Sequence, residues 1–96
     1  MDSFFVYILT NENRTVLYIG VTNNLLRRVQ EHYEAGLAEK GFTGKYKAYH
    51  LIYFEEFTDP NAAIERETQI KKWNRKKKEI LIATKNPSWR FLETEL

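Results

Sequence analysis

Apolar and polar positions alternate in blocks over the first part of the chain and predict a β-hairpin. Two short apolar runs flank a polar segment, and the blocks are, in chain order, 4–9 (FFVYIL), 10–15 (TNENRT) and 16–21 (VLYIGV). Apolar runs of this length around a turn-forming segment are typical of two antiparallel strands. We therefore expect a hairpin with its turn near residues 11–14.

The predicted hairpin brings two tyrosines together. If Thr10 and Thr15 close the loop as a pair, Tyr7 lies directly across from Tyr18. Opposed side chains project from the same face of the sheet, and a register shift of two residues preserves that relation. Tyrosine is also an ordinary strand residue with its hydroxyl in water, and this structural role is the main alternative to a functional pair.

A helical period follows the hairpin and predicts a helix over residues 24–35. Thr22 or Asn23 can provide the amino-terminal cap, and Gly36 is expected to end the helix. At 100° per residue, one arc of this helix carries an apolar stripe made of Leu25, Leu26, Val29 and Tyr33.

Two polar residues lie on the border of that stripe. Arg28 and His32 are four residues apart and therefore neighbours on the helix surface, whereas Arg27 points to solvent. A border position allows an arginine to stay hydrated while leaning over the sheet. The commoner fate of such an arginine is simply to extend its charged end into water.

A segment with glycines and lysines, residues 36–47, predicts a mildly basic surface loop. Glycine allows close backbone approach to a phosphate and lysine supplies charge, so Lys45 and Lys47 are candidates for nucleic-acid contact. The near-continuous apolar run 49–57 then predicts a third strand that is covered on both faces.

The next helix is predicted over residues 61–73, with Thr58 or Asp59 as its cap. Glu67 falls on or beside the apolar arc of this helix, where a carboxylate is costly unless it is paired or bound to a metal. A salt bridge to Arg28 or Arg66 and a metal-ligand role are comparable explanations on the pattern alone.

A basic stretch continues from this helix and surrounds Trp73. Six of the eight residues in 71–78 are lysine or arginine. Such clusters suit contact with a phosphate backbone, although a solvated basic helix face is as common. The candidates for nucleic-acid contact are therefore Lys45, Lys47, Lys71, Lys72, Arg75 and Lys76.

Composition narrows the class of protein. Ninety-six residues, 43% of them hydrophobic, suit one globular domain over 1–96. No apolar run approaches the ~20 residues of a membrane span, and the amino terminus lacks the features of a signal peptide. The absence of cysteine excludes disulfides and thiolate metal sites and favours a cytoplasmic location.

Together these candidates suit phosphodiester hydrolysis, which needs a positioned water, a proton acceptor, and positive charge on the phosphate oxygens. The chain also resembles the GIY-YIG nucleases, from Phe5 to about Ile82, a family that includes the amino-terminal nuclease of bacterial excision repair. In its length and in the basic stretch after the glutamate, the chain resembles the small standalone bacterial branch of endonucleases. The matching residues are Phe5-Val6-Tyr7, Tyr18-Ile19-Gly20, Thr22-Asn23-Asn24-Leu25, Arg27-Arg28, His32, Arg66-Glu67 and Lys71.

The resemblance implies an α+β fold, a three-stranded antiparallel sheet flanked by helices in the order β-β-α-β-α-α. It implies that Tyr7 acts as a general base or orients the water, and that Tyr18 helps to bind water or phosphate. Arg28 would steady the scissile phosphate, and His32 lies where relatives carry histidine or tyrosine. Glu67 would be the single carboxylate of the protein that binds Mg²⁺ or Mn²⁺.

The resemblance also has two departures. The first motif reads Phe-Val-Tyr rather than Gly-Ile-Tyr, and this change keeps the tyrosine. Gly20 is not a departure; the resemblance implies that it lets its strand end close to the first helix. No appended DNA-recognition domain is expected, so a protein partner could supply specificity. The sequence favours a metal-dependent DNA endonuclease in repair or processing, and the alternative is a non-catalytic nucleic-acid-binding module or repair adaptor.

Overall fold

The amino-terminal hairpin forms as predicted. In the computed structural model, which describes residues 2–96, strand β1 spans Phe4–Thr10 and strand β2 spans Leu17–Thr22. Asn11 organises the loop, since its Oδ1 accepts hydrogen bonds from the backbone N–H groups of Thr15 (2.8 Å) and Val16 (3.1 Å). These backbone groups therefore bond to the loop and not to the opposite strand.

The hairpin register differs from the predicted one by two residues. Tyr7 lies opposite Gly20, and Tyr18 lies opposite Leu9. Direct opposition of the two tyrosines was therefore the wrong prediction, because the Asn11 side chain holds the loop open and delays the first ladder pair to Thr10 and Leu17. The shift is even, so Tyr7 and Tyr18 still project from one face of the sheet.

Strand β3, His50–Phe57, pairs antiparallel with the other side of β1, so the strand order is β2-β1-β3. Alternate residues of the central strand serve different faces: Val6 and Ile8 pack in one apolar cluster, Tyr7 and Leu9 in another. Strand β3 is likewise buried through its first half, which confirms cover on both faces.

The first helix, α1, spans Leu25–Ala38 and is longer than predicted. Asn24 caps its start through a hydrogen bond from Arg27 N–H. Gly36 does not end the helix but lies inside it. A Cβ at this position would come 2.5 Å from the ring of Tyr49. The glycine therefore serves the packing of α1 on the segment before β3.

The segment predicted as a loop contains a short helix, α2, at Gly41–Lys45. Helix α3 spans Pro60–Lys71, with Asp59 as its cap, and helix α4 spans Arg75–Lys85. The chain ends with a 3₁₀ turn at Glu93–Glu95.

Helices lie on both sides of the sheet. Buried residues of α1 pack with Tyr7 and Leu9, whereas Ala63 and Ile70 of α3 and Ile82 of α4 pack with Val6 and Ile8. The expected α+β order is therefore confirmed, with α2 as an addition. Over residues 2–96, none of the helices is both long and apolar enough to cross a bilayer.

Candidate active site

Tyr7 lies at the centre of the candidate site. Its side chain is 1% exposed, and its hydroxyl lies 2.9 Å from Nε2 of His32. The opposing residue, Gly20, admits the phenol, because a Cβ there would come 2.4 Å from both Cζ and Oη of Tyr7. Gly20 therefore makes room for the first tyrosine, which differs from its expected role at the junction with α1.

Burial governs the ionisation of this phenol. Loss of solvation is the main reason that the pKa of Tyr7 is raised to about 12; the neighbouring Tyr18 and Glu67 also raise it, while the Arg28 guanidinium lowers it. Tyr7 is consequently a neutral phenol in the resting protein. Arg28 and Glu67 are thus the two charged side chains that influence this hydroxyl, with opposite signs.

His32 is buried, although the helical period predicted a border position for it. Only 4% of the residue is exposed, since α2 covers the side of α1 on which it lies. Its Nδ1 lies 2.9 Å from Oγ1 of Thr43, so both ring nitrogens have partners. Burial, helped by Arg28, lowers the pKa of His32 to about 4, and the imidazole is neutral at physiological pH.

Thr43 is a residue that the sequence did not single out. It is 7% exposed and belongs to α2, within the segment predicted as a surface loop. Its position in GFTGK gives no periodic signal, since the helix is only five residues long. Only the packing of α2 against α1 brings its hydroxyl to His32.

Tyr18 completes a cluster of three rings. Its centroid lies 6.3 Å from that of Tyr7 and 5.2 Å from that of His32. Tyr18 is half-buried, whereas the other two rings are covered. The hairpin thus presents one phenol inside the protein and a second at its surface.

Arg28 lies at the rim, as its helical position predicted. Its Nη1 is 3.0 Å from Oε1 of Glu31, and this hydrogen bond raises the pKa of the guanidinium. The pair is partly exposed, with 39% of the Arg28 side chain accessible. Exposed pairs of this kind contribute about 0–1 kcal/mol, so a phosphate can compete for the guanidinium.

Glu67 has neither of the arginine partners that the sequence suggested. Arg66 binds Glu55 through two nitrogens, each 2.9 Å from a carboxylate oxygen, and Arg28 binds Glu31. The Glu67 carboxylate is 16% exposed and lies 3.5 Å from Nζ of Lys71, one turn along α3. It therefore has one cation beside it and no bidentate partner.

The carboxylate of Glu67 fits the kind of metal site that the sequence implied. Within residues 2–96 there is no group of three or more His, Asp or Glu side chains that could enclose an ion. Mg²⁺ commonly keeps several waters and is held by one or two carboxylates together with substrate phosphate. A single, mostly buried carboxylate whose charge influences Tyr7 suits that mode of binding.

The predicted phosphate contacts differ in availability. Arg75 is committed to the fold, because it donates to the carbonyls of Arg14 (3.0 Å) and Thr15 (2.9 Å) as well as to Glu79. Lys47 donates to Glu39 and to the Gly36 carbonyl, and Lys71 lies beside Glu67. In the described part of the chain, the exposed candidates that form no ion pair are Lys45, Lys72 and Lys76.

The arrangement of elements and the sequence assign the chain to one family. The order of strands and helices is an α+β arrangement with two tyrosines on one sheet face and an arginine and a glutamate on the flanking helices. The model of the GIY-YIG catalytic domain matches residues 3–80. The chain therefore belongs to the GIY-YIG family.

Individual relatives agree with this assignment. A UPF0213 protein of Natronomonas pharaonis is 42% identical over 79 residues, which are 82% of this chain and 89% of that protein. A UPF0213 protein of Staphylococcus aureus strain Mu3 is 37% identical over 82 residues, covering 85% and 96% of the two chains. The solution NMR structure of a UPF0213 protein from Bacillus halodurans has a TM-score of 0.58 at 26% identity and covers 91% of this chain and 89% of its own.

Proposed function

We propose that the protein hydrolyses phosphodiester bonds in DNA with the help of a divalent cation, Mg²⁺ or Mn²⁺, held by Glu67. The observation that carries the proposal is the hydrogen bond between Tyr7 and His32 beside two opposite charges, Arg28 and Glu67. A buried phenol and imidazole in contact supply a path for a proton. The flanking charges suit a phosphate and its cation.

The ionisation of the two groups favours one route for the proton. Ionising a phenol of pKa about 12 at pH 7 costs about 7 kcal/mol, whereas protonating an imidazole of pKa about 4 costs about 4 kcal/mol. A preformed Tyr7 phenolate is thus higher in free energy than a His32 imidazolium. Tyr7 instead takes the proton of the attacking water as its own proton passes to Nε2 of His32.

Thr43 and Arg28 support this step from different sides. For Nε2 to accept from Tyr7, the neutral imidazole must carry its proton on Nδ1, and Thr43 Oγ1 is placed to accept that Nδ1–H. Arg28 exchanges Glu31 for the phosphate and stabilises charge on the non-bridging oxygens. A divalent cation held by Glu67 would supply further stabilisation of the charge that develops on the phosphate.

The water oxygen forms its bond to phosphorus as the bond to the leaving sugar oxygen breaks, and one strand is cut. The leaving oxygen takes a proton from solvent, and His32 returns the proton that it received to solvent, which restores the site. Tyr18 at the mouth of the site orients the water or the phosphate.

We place this activity in DNA repair or processing, on the resemblance of the chain to the nuclease domain of bacterial excision repair. We further propose that a protein partner directs cleavage.

The decisive experiment compares two glutamates of α3. Purified wild-type protein should cleave plasmid, branched or single-stranded DNA with Mg²⁺ or Mn²⁺ and not in EDTA. Glu67→Gln should reduce the rate by about a hundredfold or more while DNA binding persists. Glu65→Gln, on the exposed side of the same helix, should cleave normally.

Two outcomes would contradict the enzyme. If the wild type binds DNA yet cleaves no substrate with any divalent cation, the protein is a binding module that retains the fold. If cleavage occurs but Glu67→Gln and Glu65→Gln behave alike, the cation is not held at Glu67. Circular dichroism of both variants checks that each remains folded.

A further inference from the structure

A row of aromatic rings leads from the candidate site onto the surface of α2. The ring centroid of Tyr18 lies 6.1 Å from that of Phe42, which lies 4.8 Å from that of Tyr46. Phe42 is 50% exposed and Tyr46 is 44% exposed. We call these three residues the aromatic ladder; its inner end, Tyr18, contacts the His32 ring at 5.2 Å.

The exposure of the ladder follows from how α2 packs. Thr43 and Gly44 face α1, where Thr43 binds His32 and a Cβ on Gly44 would come 2.4 Å from the Ala35 carbonyl oxygen. Phe42 and Tyr46 are four residues apart, and both remain on the outer side. Helix α2 thus buries its small residues and leaves its two aromatic residues in solvent, although burial of the aromatics would contribute more to stability.

Positive charge accompanies the exposed rings. Nζ of Lys45 lies 5.5 Å from the ring centroid of Tyr46, and Lys45 has no acidic partner among residues 2–96. The nearby carboxylate of Glu39 is already occupied by Lys47 at 3.5 Å. An aromatic surface with an available cation suits a ligand that carries both flat π faces and negative charge.

We propose that the aromatic ladder is a stacking platform for unpaired bases, so that single-stranded DNA is the preferred substrate of the candidate site. Aromatic side chains bind every base through its face, and lysines follow the backbone. In a duplex the base faces are stacked on one another and cannot reach Phe42 or Tyr46. The identity of the ligand as DNA rests on the proposed nuclease function. The contact between Phe42 and Tyr18 connects the platform to the candidate site.

Binding measured without cleavage tests the ladder separately from the chemistry. The full chain in EDTA is titrated with a fluorescein-labelled twelve-nucleotide single strand and with a hairpin duplex of the same sequence, both followed by anisotropy. Phe42→Ala and Tyr46→Ala should each weaken single-strand binding by about tenfold and change duplex binding by less than about threefold. Leu26→Ala, a matched control that is 49% exposed on the other flank of α1, should change neither.

Substitutions by other apolar or aromatic residues separate stacking from hydrophobic contact. Phe42→Trp should retain single-strand affinity, and Phe42→Leu should lose it. Equal losses on single strand and duplex, or full affinity in Phe42→Leu, would overturn the platform. Sedimentation that shows wild-type dimers and Phe42→Ala monomers would also overturn it, because the ladder would then join two copies of the chain.

The two proposals fail in distinguishable ways. A protein that binds single strands through Phe42 and Tyr46 but cleaves nothing keeps the platform and loses the nuclease. A protein that cleaves, yet whose ladder variants bind single strands like the wild type, keeps the nuclease and loses the platform.

Discussion

Two tyrosines of the sheet, Tyr7 and Tyr53, are buried to the same degree and have opposite surroundings. They are 1% and 2% exposed, and burial raises the pKa of both phenols. Tyr7 bonds to a neutral imidazole next to a half-exposed tyrosine. Tyr53 bonds to the carboxylate of Glu55, which Arg66 holds through two hydrogen bonds.

The partners decide what each phenol can do. Burial raises the pKa of Glu55, but the hydrogen bonds from Arg66 and Tyr53 outweigh it, so the net pKa is lowered and the carboxylate stays charged. Tyr53 therefore donates to an acceptor whose charge is already neutralised, which is a closed structural network. Tyr7 contacts a group able to accept its proton, next to charges that a substrate could engage. The degree of burial alone does not distinguish the roles of the two tyrosines.

The largest expected effect is on cleavage. Tyr7→Phe removes the hydroxyl that passes the proton, so we expect the cleavage rate to fall by about a hundredfold or more. Tyr53→Phe removes a hydroxyl of similar burial and should leave the rate within about twofold, at a loss of about 1 kcal/mol in unfolding free energy. Plasmid nicking and urea denaturation measure the two quantities, and equal rate losses would show that the tyrosines do not differ in function.

The pH dependence of stability should reveal the neutral partner of Tyr7. The folded pKa of His32 is about 4 and its ordinary value is 6.5, so the unfolded chain binds the extra proton between these values. Stability from this group is present above pH 6.5, is lost as the pH falls toward 4, and amounts to about 3 kcal/mol.

Urea denaturation across this pH range, together with NMR titration of the imidazole, checks the prediction. His50 provides an internal control for the NMR assignment, because it stacks on Phe91 away from Tyr7. A midpoint for His32 near 6.5 would contradict a buried, neutral acceptor. Protonation of Glu55 should not overlap with this transition, because the pKa of Glu55 is lowered below 4.5.

A smaller effect is expected at the glycine opposite Tyr7. Gly20→Ala places a methyl 2.4 Å from the phenol, so Tyr7 must shift, and we expect a loss of about 1–3 kcal/mol in unfolding free energy. Gly36→Ala is the matched control, because its methyl would meet the Tyr49 ring at 2.5 Å.

Both glycine variants should lose stability, but only Gly20→Ala should alter the NMR signals of the His32 ring and reduce cleavage. Denaturation and the imidazole spectrum of each variant provide the measurement. If Gly36→Ala disturbs His32 equally, the contact between Gly20 and Tyr7 has no special relation to the site.

Local patterns were sufficient to predict most of the fold. Apolar runs located the hairpin and the third strand, the 3.6-residue period located α1 and α3, and Asp59, one of the two predicted caps, precedes α3. The ends of elements were predicted less accurately where a residue packs against a distant part of the chain. Gly36 was expected to end a helix, yet it allows the Tyr49 ring to approach.

The sequence by itself determined that Tyr7 and Tyr18 share a face, that Arg28 lies at the rim of α1, and that Glu67 lies on the inner part of α3. These relations follow from the fixed periods of strands and helices, which hold over a few residues regardless of the rest of the chain.

Only the tertiary structure decided how those residues are surrounded. The hairpin register depended on the Asn11 side chain, and the burial of His32 depended on α2, which packs against α1 from across a turn. Glu55 of β3 holds Arg66, so this arginine pairs with a residue of another segment and not with Glu67. Burial and competition for partners act through space between segments, so no local period records them.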